Sequence, residues 1–99
     1  MKKSNKVIVK NPKELAESLG LSPSDAVEWE IRNVITKKII ECAAKNYLTV
    51  TSIAKDSGTS RGRVTKILKD NTLGISLDVL VRVLRAVGEE VKISFRKAA

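Results

Sequence analysis

Aliphatic residues spaced three and four apart run through most of this 99-residue chain, and that spacing predicts a mostly α-helical fold. The longest stripe is Val27, Ile31, Val34, Ile35, Ile39, Cys42 and Ala43, one continuous buried face for a helix reaching about Asn46. Ser22-Pro23-Ser24-Asp25 marks its start with a hydroxyl cap, a proline where no N–H is needed, and an acid at the third position. Trp29, Ile40 and Ala44 fall off the stripe and suit either a neighbouring helix of the same chain or a second subunit. A shorter helix precedes it: Asn11 caps, Pro12 takes the first position, Leu15 and Leu19 share a face, and Gly20 ends the element. So short a helix is marginal alone and has to dock on something.

Beyond Leu48 the punctuation tightens. Thr49 caps a helix through Ser57 with Ile53 and Ala54 inward, and Gly58 supplies the left-handed residue that stops it. Ser60 caps the next helix, with Val64, Ile67 and Leu68 inward, up to a turn at Asp70-Asn71-Thr72. Ser76 caps a fourth, with Leu77, Leu80, Val81, Leu84 and Val87 on one side and Gly88 closing it. From Glu90 to Arg96 the period changes to two, with Val91, Ile93 and Phe95 on one face, which predicts a short C-terminal β-strand. Val7-Ile8-Val9 is β-prone and offers an N-terminal strand. The expected organisation is a basic arm and short helix over residues 1–23, then one domain over 24–99 ending in a strand at 90–96. A lone exposed strand is a liability unless paired, and this one can pair with its symmetry mate or with Val7 to Val9; a two-fold pairing is favoured.

Composition narrows the function. With 42% hydrophobic residues but only 3% aromatic, the chain builds one aliphatic core. Its formal net charge is +8, and the arm carries Lys2, Lys3, Lys6 and Lys10 without an acid, so a polyanion such as nucleic acid is the expected partner. One cysteine and no histidine leave no internal disulfide, no ordinary transition-metal site and no usual general base. Paired catalytic carboxylates and a phosphate-binding glycine loop are missing too, so neither an enzymatic activity nor a cofactor is expected. No apolar run approaches the roughly 20 residues of a membrane span, and Val7-Ile8-Val9 is too short for a signal-peptide core. A cytoplasmic protein with no membrane partner is expected.

The informative segment is LTVTSIAKDSGTSRGRVTKIL, Leu48 to Leu68, with the motif ending at residue 69. Two helices crossing through a tight turn need a small residue at their approach, a glycine in the turn and apolar pins on both sides. Ala54, Gly58, and the set Leu48, Ile53, Val64 and Ile67 meet those needs. The arrangement frees the outer face of the second helix for a major groove, and that face reads Arg61, Gly62, Arg63, Thr65, Lys66 and Lys69, with no acid before Asp70. Arg61 is the first choice for reading a base, because arginine pairs bidentately with guanine. Lys66, one turn along, reaches a second base or a phosphate. Gly62 costs the helix about 1 kcal/mol relative to alanine; either close approach of the backbone to a duplex repays that cost, or the glycine is simply tolerated there. Arg63, Lys69, Lys55 and the arm lysines suit the sugar-phosphate backbone.

The LT…IA…G.S…V..IL run, followed by Ser76-Leu77-Asp78-Val79-Leu80 through Leu84 to Gly88, resembles the XRE (Cro and phage-repressor, lambda-repressor-like) class of helix-turn-helix proteins. The E-W-E-I-R-N helix at Glu28 to Asn33 is similar to the HigA-like antitoxin branch. The resemblance implies a fold of four to five helices and a homodimer on double-stranded DNA. It implies base contacts at Arg61, Gly62 and Lys66 with Arg63 and Thr65 as neighbours, and phosphate contacts near Thr49, Val50 and Ser60. The implied role is a transcriptional repressor, in the antitoxin version regulating its own operon and binding a RelE-like toxin protein. Two positions depart from the pattern: Val50 stands where the family often has glutamine, and a strand at Val91 to Phe95 stands in place of the fifth helix. The reading from a different class is a non-specific architectural nucleic-acid-binding protein.

Overall fold

The computed structural model describes residues 6–7, 16–17, 20, 22–95 and 97. In chain order these form β1 (Lys6–Val7), α1 (Pro23–Lys45), α2 (Val50–Ser57), α3 (Arg61–Leu68), α4 (Leu77–Ala86) and β2 (Lys92–Ile93). The fold is mostly α, with four helices and a short C-terminal strand. Ala16 and Glu17 are helical, Ala16 is buried, and Gly20 takes a left-handed φ of 68°, as the expected short helix requires. Asn11, Pro12, Leu15 and Leu19 lie outside the described residues.

All four helices start with the same device. Ser22, Thr49, Ser60 and Ser76 are extended, and each side-chain oxygen accepts from the N–H three residues on, at Asp25, Ser52, Arg63 and Val79. Each such cap is worth about 1 kcal/mol, because it satisfies a donor that the helix itself cannot. The ends repeat a device as well. Tyr47, Gly58, Asp70 and Gly88 are left-handed, with φ of 52°, 70°, 60° and 97°. The N–H that follows each reaches back five residues: Leu48 to Ala43, Thr59 to Ala54, Asn71 to Lys66 and Glu89 to Leu84, at 2.9 to 3.2 Å. Glycine is the usual residue there, having no Cβ to clash. It marks two of these ends in the sequence and is missing from the other two.

The core is one aliphatic cluster. Ile35, Ile39, Cys42 and Ala43 of α1 meet Ile53 and Ala54 of α2, Val64 and Ile67 of α3, and Val79, Leu80, Val83 and Leu84 of α4, with Ile75 and Val87 alongside. Helix α4 packs on both α1 and α2, and α3 packs on both of these as well. The position of α4 corrects its expected buried face: Val79 and Val83 are buried, whereas Val81 is exposed and Leu77 half-buried. A helix touching two neighbours buries two adjacent rows, 79/83 and 80/84/87, and the 77/81 row falls at their margin.

On α1 the stripe is corrected at one place. Val34 is exposed and Thr36 buried instead, its hydroxyl donating to the Arg32 carbonyl at 2.8 Å. That internal bond removes the penalty for burying the hydroxyl. Among the off-stripe residues Trp29 and Ala44 are exposed and Ile40 half-buried, while Ala26 is fully buried.

The strand expected over 90–96 pairs along only two residues, and its partner is the N-terminal segment. β1 and β2 run parallel, with Lys6 opposite Lys92 and Val7 opposite Ile93. Ile8, Val9 and Arg96 lie outside the described residues. Val91 packs against the core, and Ile93 and Phe95 are exposed. One long-range polar contact fixes the region between α3 and α4: Arg32 Nη2 donates to the Thr72 carbonyl at 2.6 Å.

Candidate nucleic-acid interface

Helices α2 and α3 pack on one another around Ile53, Ala54, Val64 and Ile67. Ser57 is buried at the end of α2, its hydroxyl donating to the Ile53 carbonyl at 2.7 Å. Gly58 then reverses the chain, and Ser60 caps α3 two residues later. Thr59, in the turn itself, keeps a buried hydroxyl oxygen with no hydrogen-bond partner among the described residues.

With Val64 and Ile67 inward and Leu68 packed against the core, the other residues of α3 present one outer surface. Gly62 and Lys66, four apart, form the ridge opposite the core, and Lys69 continues it at the helix end. Arg63 and Thr65 flank the ridge, and Arg61 occupies the first helical position. Arg61, Gly62, Arg63, Lys66 and Lys69 are exposed, and Thr65 is half-buried. Thr65 donates its hydroxyl hydrogen to the Arg61 carbonyl at 2.9 Å, so it can only accept from a ligand, as from an adenine or cytosine amino group. None of the four cations from Arg61 to Lys69 forms an ion pair with a described residue; ion pairs do form elsewhere, Lys38 with Glu41 on α1 and Asp78 with Arg82 on α4.

A second set of donors adjoins this surface. The Thr49 and Ser60 oxygens accept from Ser52 and Arg63, which leaves their hydroxyl hydrogens free to donate outward. The first N–H groups of α2 and α3 have no intrahelical acceptor and carry the positive end of each helix dipole, an arrangement that suits phosphate oxygens. Val50 offers this surface only its backbone, because its side chain packs against the core. The structure thus brings Ser60, Arg61, Gly62, Arg63, Thr65, Lys66 and Lys69 together on α3 and its caps, with Thr49 and Val50 at the start of the packed partner helix.

One residue at this edge gave no signal in the hydrophobic pattern. Tyr47, two positions before the α2 cap, is 91% exposed and left-handed. An isolated aromatic outside any periodic stripe is invisible to pattern reading; only its position before the motif marks it.

No helix of the described residues is long and apolar enough to cross a membrane. Among the described residues no cluster of His, Cys, Asp and Glu is able to hold a metal ion. Compared with known families, the chain matches the helix-turn-helix domain over residues 14–96. No curated protein and no solved structure matches it.

Proposed function

The chain belongs to the helix-turn-helix domain family, and from that premise we propose that it is a sequence-specific DNA-binding transcriptional regulator acting as a repressor. The observation that carries the reading is the outer surface of α3, four cations without an ion pair to any described residue and no acid, beside the capped starts of two helices. In this reading α3 lies in the major groove. Arg61 and Lys66 read base edges, Thr65 accepts from a base amino group, and Gly62 lets the helix backbone come close. Thr49, Ser60, Arg63, Lys69 and the backbone N–H of Val50 hold the phosphates, which sets register without reading sequence.

A single such module covers one half-site. We propose a two-fold dimer on half-sites about 34–36 Å apart. The support is at β2: one edge of this strand faces β1, its other edge has no partner strand among the described residues, and Ile93 and Phe95 beside it are exposed. An open edge carrying apolar side chains favours pairing with a second copy.

Selection of duplexes from a random pool by the purified protein, at two salt concentrations, tests the proposal. The expected product is an inverted repeat with half-sites one helical turn apart. Recovery of no motif, together with a steep salt dependence, would replace the proposal with non-specific architectural binding, since charge alone then supplies the affinity.

A further inference from the structure

We infer that Tyr47 is a DNA-backbone contact, its phenol hydroxyl donating to a phosphate beside the start of α2. The inference rests on the reading that α2 and α3 bind duplex DNA. Within the fold, Tyr47 serves only through its backbone: it is the left-handed residue that ends α1, its N–H donating to the Ala44 carbonyl at 3.3 Å. Glycine or asparagine performs that task with less strain, and a bulky side chain at positive φ is a true outlier. The side chain is 91% exposed and makes no hydrogen bond with a described residue. Neither packing nor local geometry therefore accounts for an aromatic residue here. A strained position of this kind signals a demand from outside the fold.

Position supplies the demand. Tyr47 lies two residues before Thr49, whose hydroxyl and following N–H groups form the phosphate-facing start of α2. In a docked helix-turn-helix the first helix of the pair meets the sugar-phosphate backbone. A tyrosine at this rim carries its hydroxyl, a neutral donor, over the same backbone segment, and tyrosine is among the side chains that make phosphate contacts. Such a contact reads no sequence and displaces no counterion.

The test uses the full chain, a duplex recovered by selection and a mixed-sequence duplex. Y47G is expected to melt no lower than wild type, yet to bind both duplexes on the order of tenfold more weakly, the loss of one hydrogen bond to a charged group. Y47F, which keeps the ring and the backbone strain, should show most of that loss, with an unchanged salt slope. The chain has a single tyrosine, so its ring resonances are unambiguous, and they should shift on adding either duplex. Wild-type affinity in Y47G or Y47F, or a loss confined to the selected duplex, overturns the inference. Failure of the wild-type protein to bind either duplex removes the DNA-binding reading itself, and that result is seen before any variant is made.

Discussion

Replacing Gly62 by alanine adds one methyl group to the second residue of α3, and the structure allows its two consequences to be worked out separately. Gly62 lies in the right-handed helical region, and a Cβ built there meets nothing closer than Ser60 Oγ at 4.0 Å. The methyl creates no clash, so the substitution gains the helix-propensity difference between glycine and alanine. That difference is about 0.8–1.0 kcal/mol in a helix interior, and roughly half to all of it applies this close to the helix start. For a domain of this size, about 0.5–1 kcal/mol raises the melting temperature by roughly 2–8 °C. Binding should move the opposite way. If the α3 backbone approaches the base edges at Gly62, the methyl stands in that space, and affinity for the selected duplex falls by at least about tenfold, or about 1.4 kcal/mol. Thermal unfolding by circular dichroism and duplex titration by fluorescence anisotropy, on the same preparation, read both effects. A melting temperature that falls would refute the structural half of the reasoning. One that rises with unchanged affinity would refute the close approach and leave Gly62 as a tolerated residue.

Further substitutions address the division of labour and the core. Arg61→Ala should reduce affinity for the selected duplex far more than for random DNA, whereas Lys69→Ala should weaken both alike and lower the salt slope by about one phosphate equivalent; equal losses for Arg61→Ala would refute its base-reading role. Thr59→Val removes a buried hydroxyl with no partner among the described residues and should raise the urea midpoint by the equivalent of about 0.5–1 kcal/mol, against a fall if an ordered water satisfies that oxygen. The Cys42 thiol is pushed above its ordinary value of 9.0, first by burial and then by Glu89, whose carboxylate lies 3.9 Å away. Because the folded state holds this proton more tightly than the unfolded one, the contribution is complete below the ordinary thiol range and lost as pH rises through the folded-state value. The urea midpoint of the wild type should therefore decline more steeply above pH 9.0 than that of Cys42→Ala, which starts lower because of the cavity. Parallel declines would show that the thiol is not responsible.

The parts of this fold legible in the sequence are those that depend on a residue type at a fixed spacing. A hydroxyl three residues ahead of a helical N–H is such a signal, and Ser22, Thr49, Ser60 and Ser76 all cap as read. The exposed face of α3 is another, because Val64, Ile67 and Leu68 determine which of its residues face outward. Illegible were features decided by the surroundings. The ends of α1 near Asn46 and of α3 near Asp70 are legible, but that Tyr47 and Asp70 themselves take the left-handed position is not, because no glycine marks either. Thr36 is buried through a bond to its own helix, which a hydrophobic pattern does not register. Val81 falls on the expected buried side and Val79 and Val83 off it until α4 is known to touch two helices at once. The main-chain donors at the helix starts, such as the Val50 N–H, have no side-chain signature.

The parallel pairing of Lys6–Val7 with Lys92–Ile93 has a consequence for the order of assembly. Lys6 and Lys92 are 86 positions apart (92 − 6), and closing so long a loop from a disordered chain costs about 4 kcal/mol in chain entropy. Two residue pairs cannot supply that. Contacts between α2 and α3, by contrast, close loops several-fold shorter. Once the helical core holds Val91 in place, the closure left to make is only that of the residues between β1 and α1. The strand pair is therefore a latch set by the core rather than a nucleus for it. It should open on its own, its amides exchanging with solvent well before those of Ile39, Ile67 and Leu80.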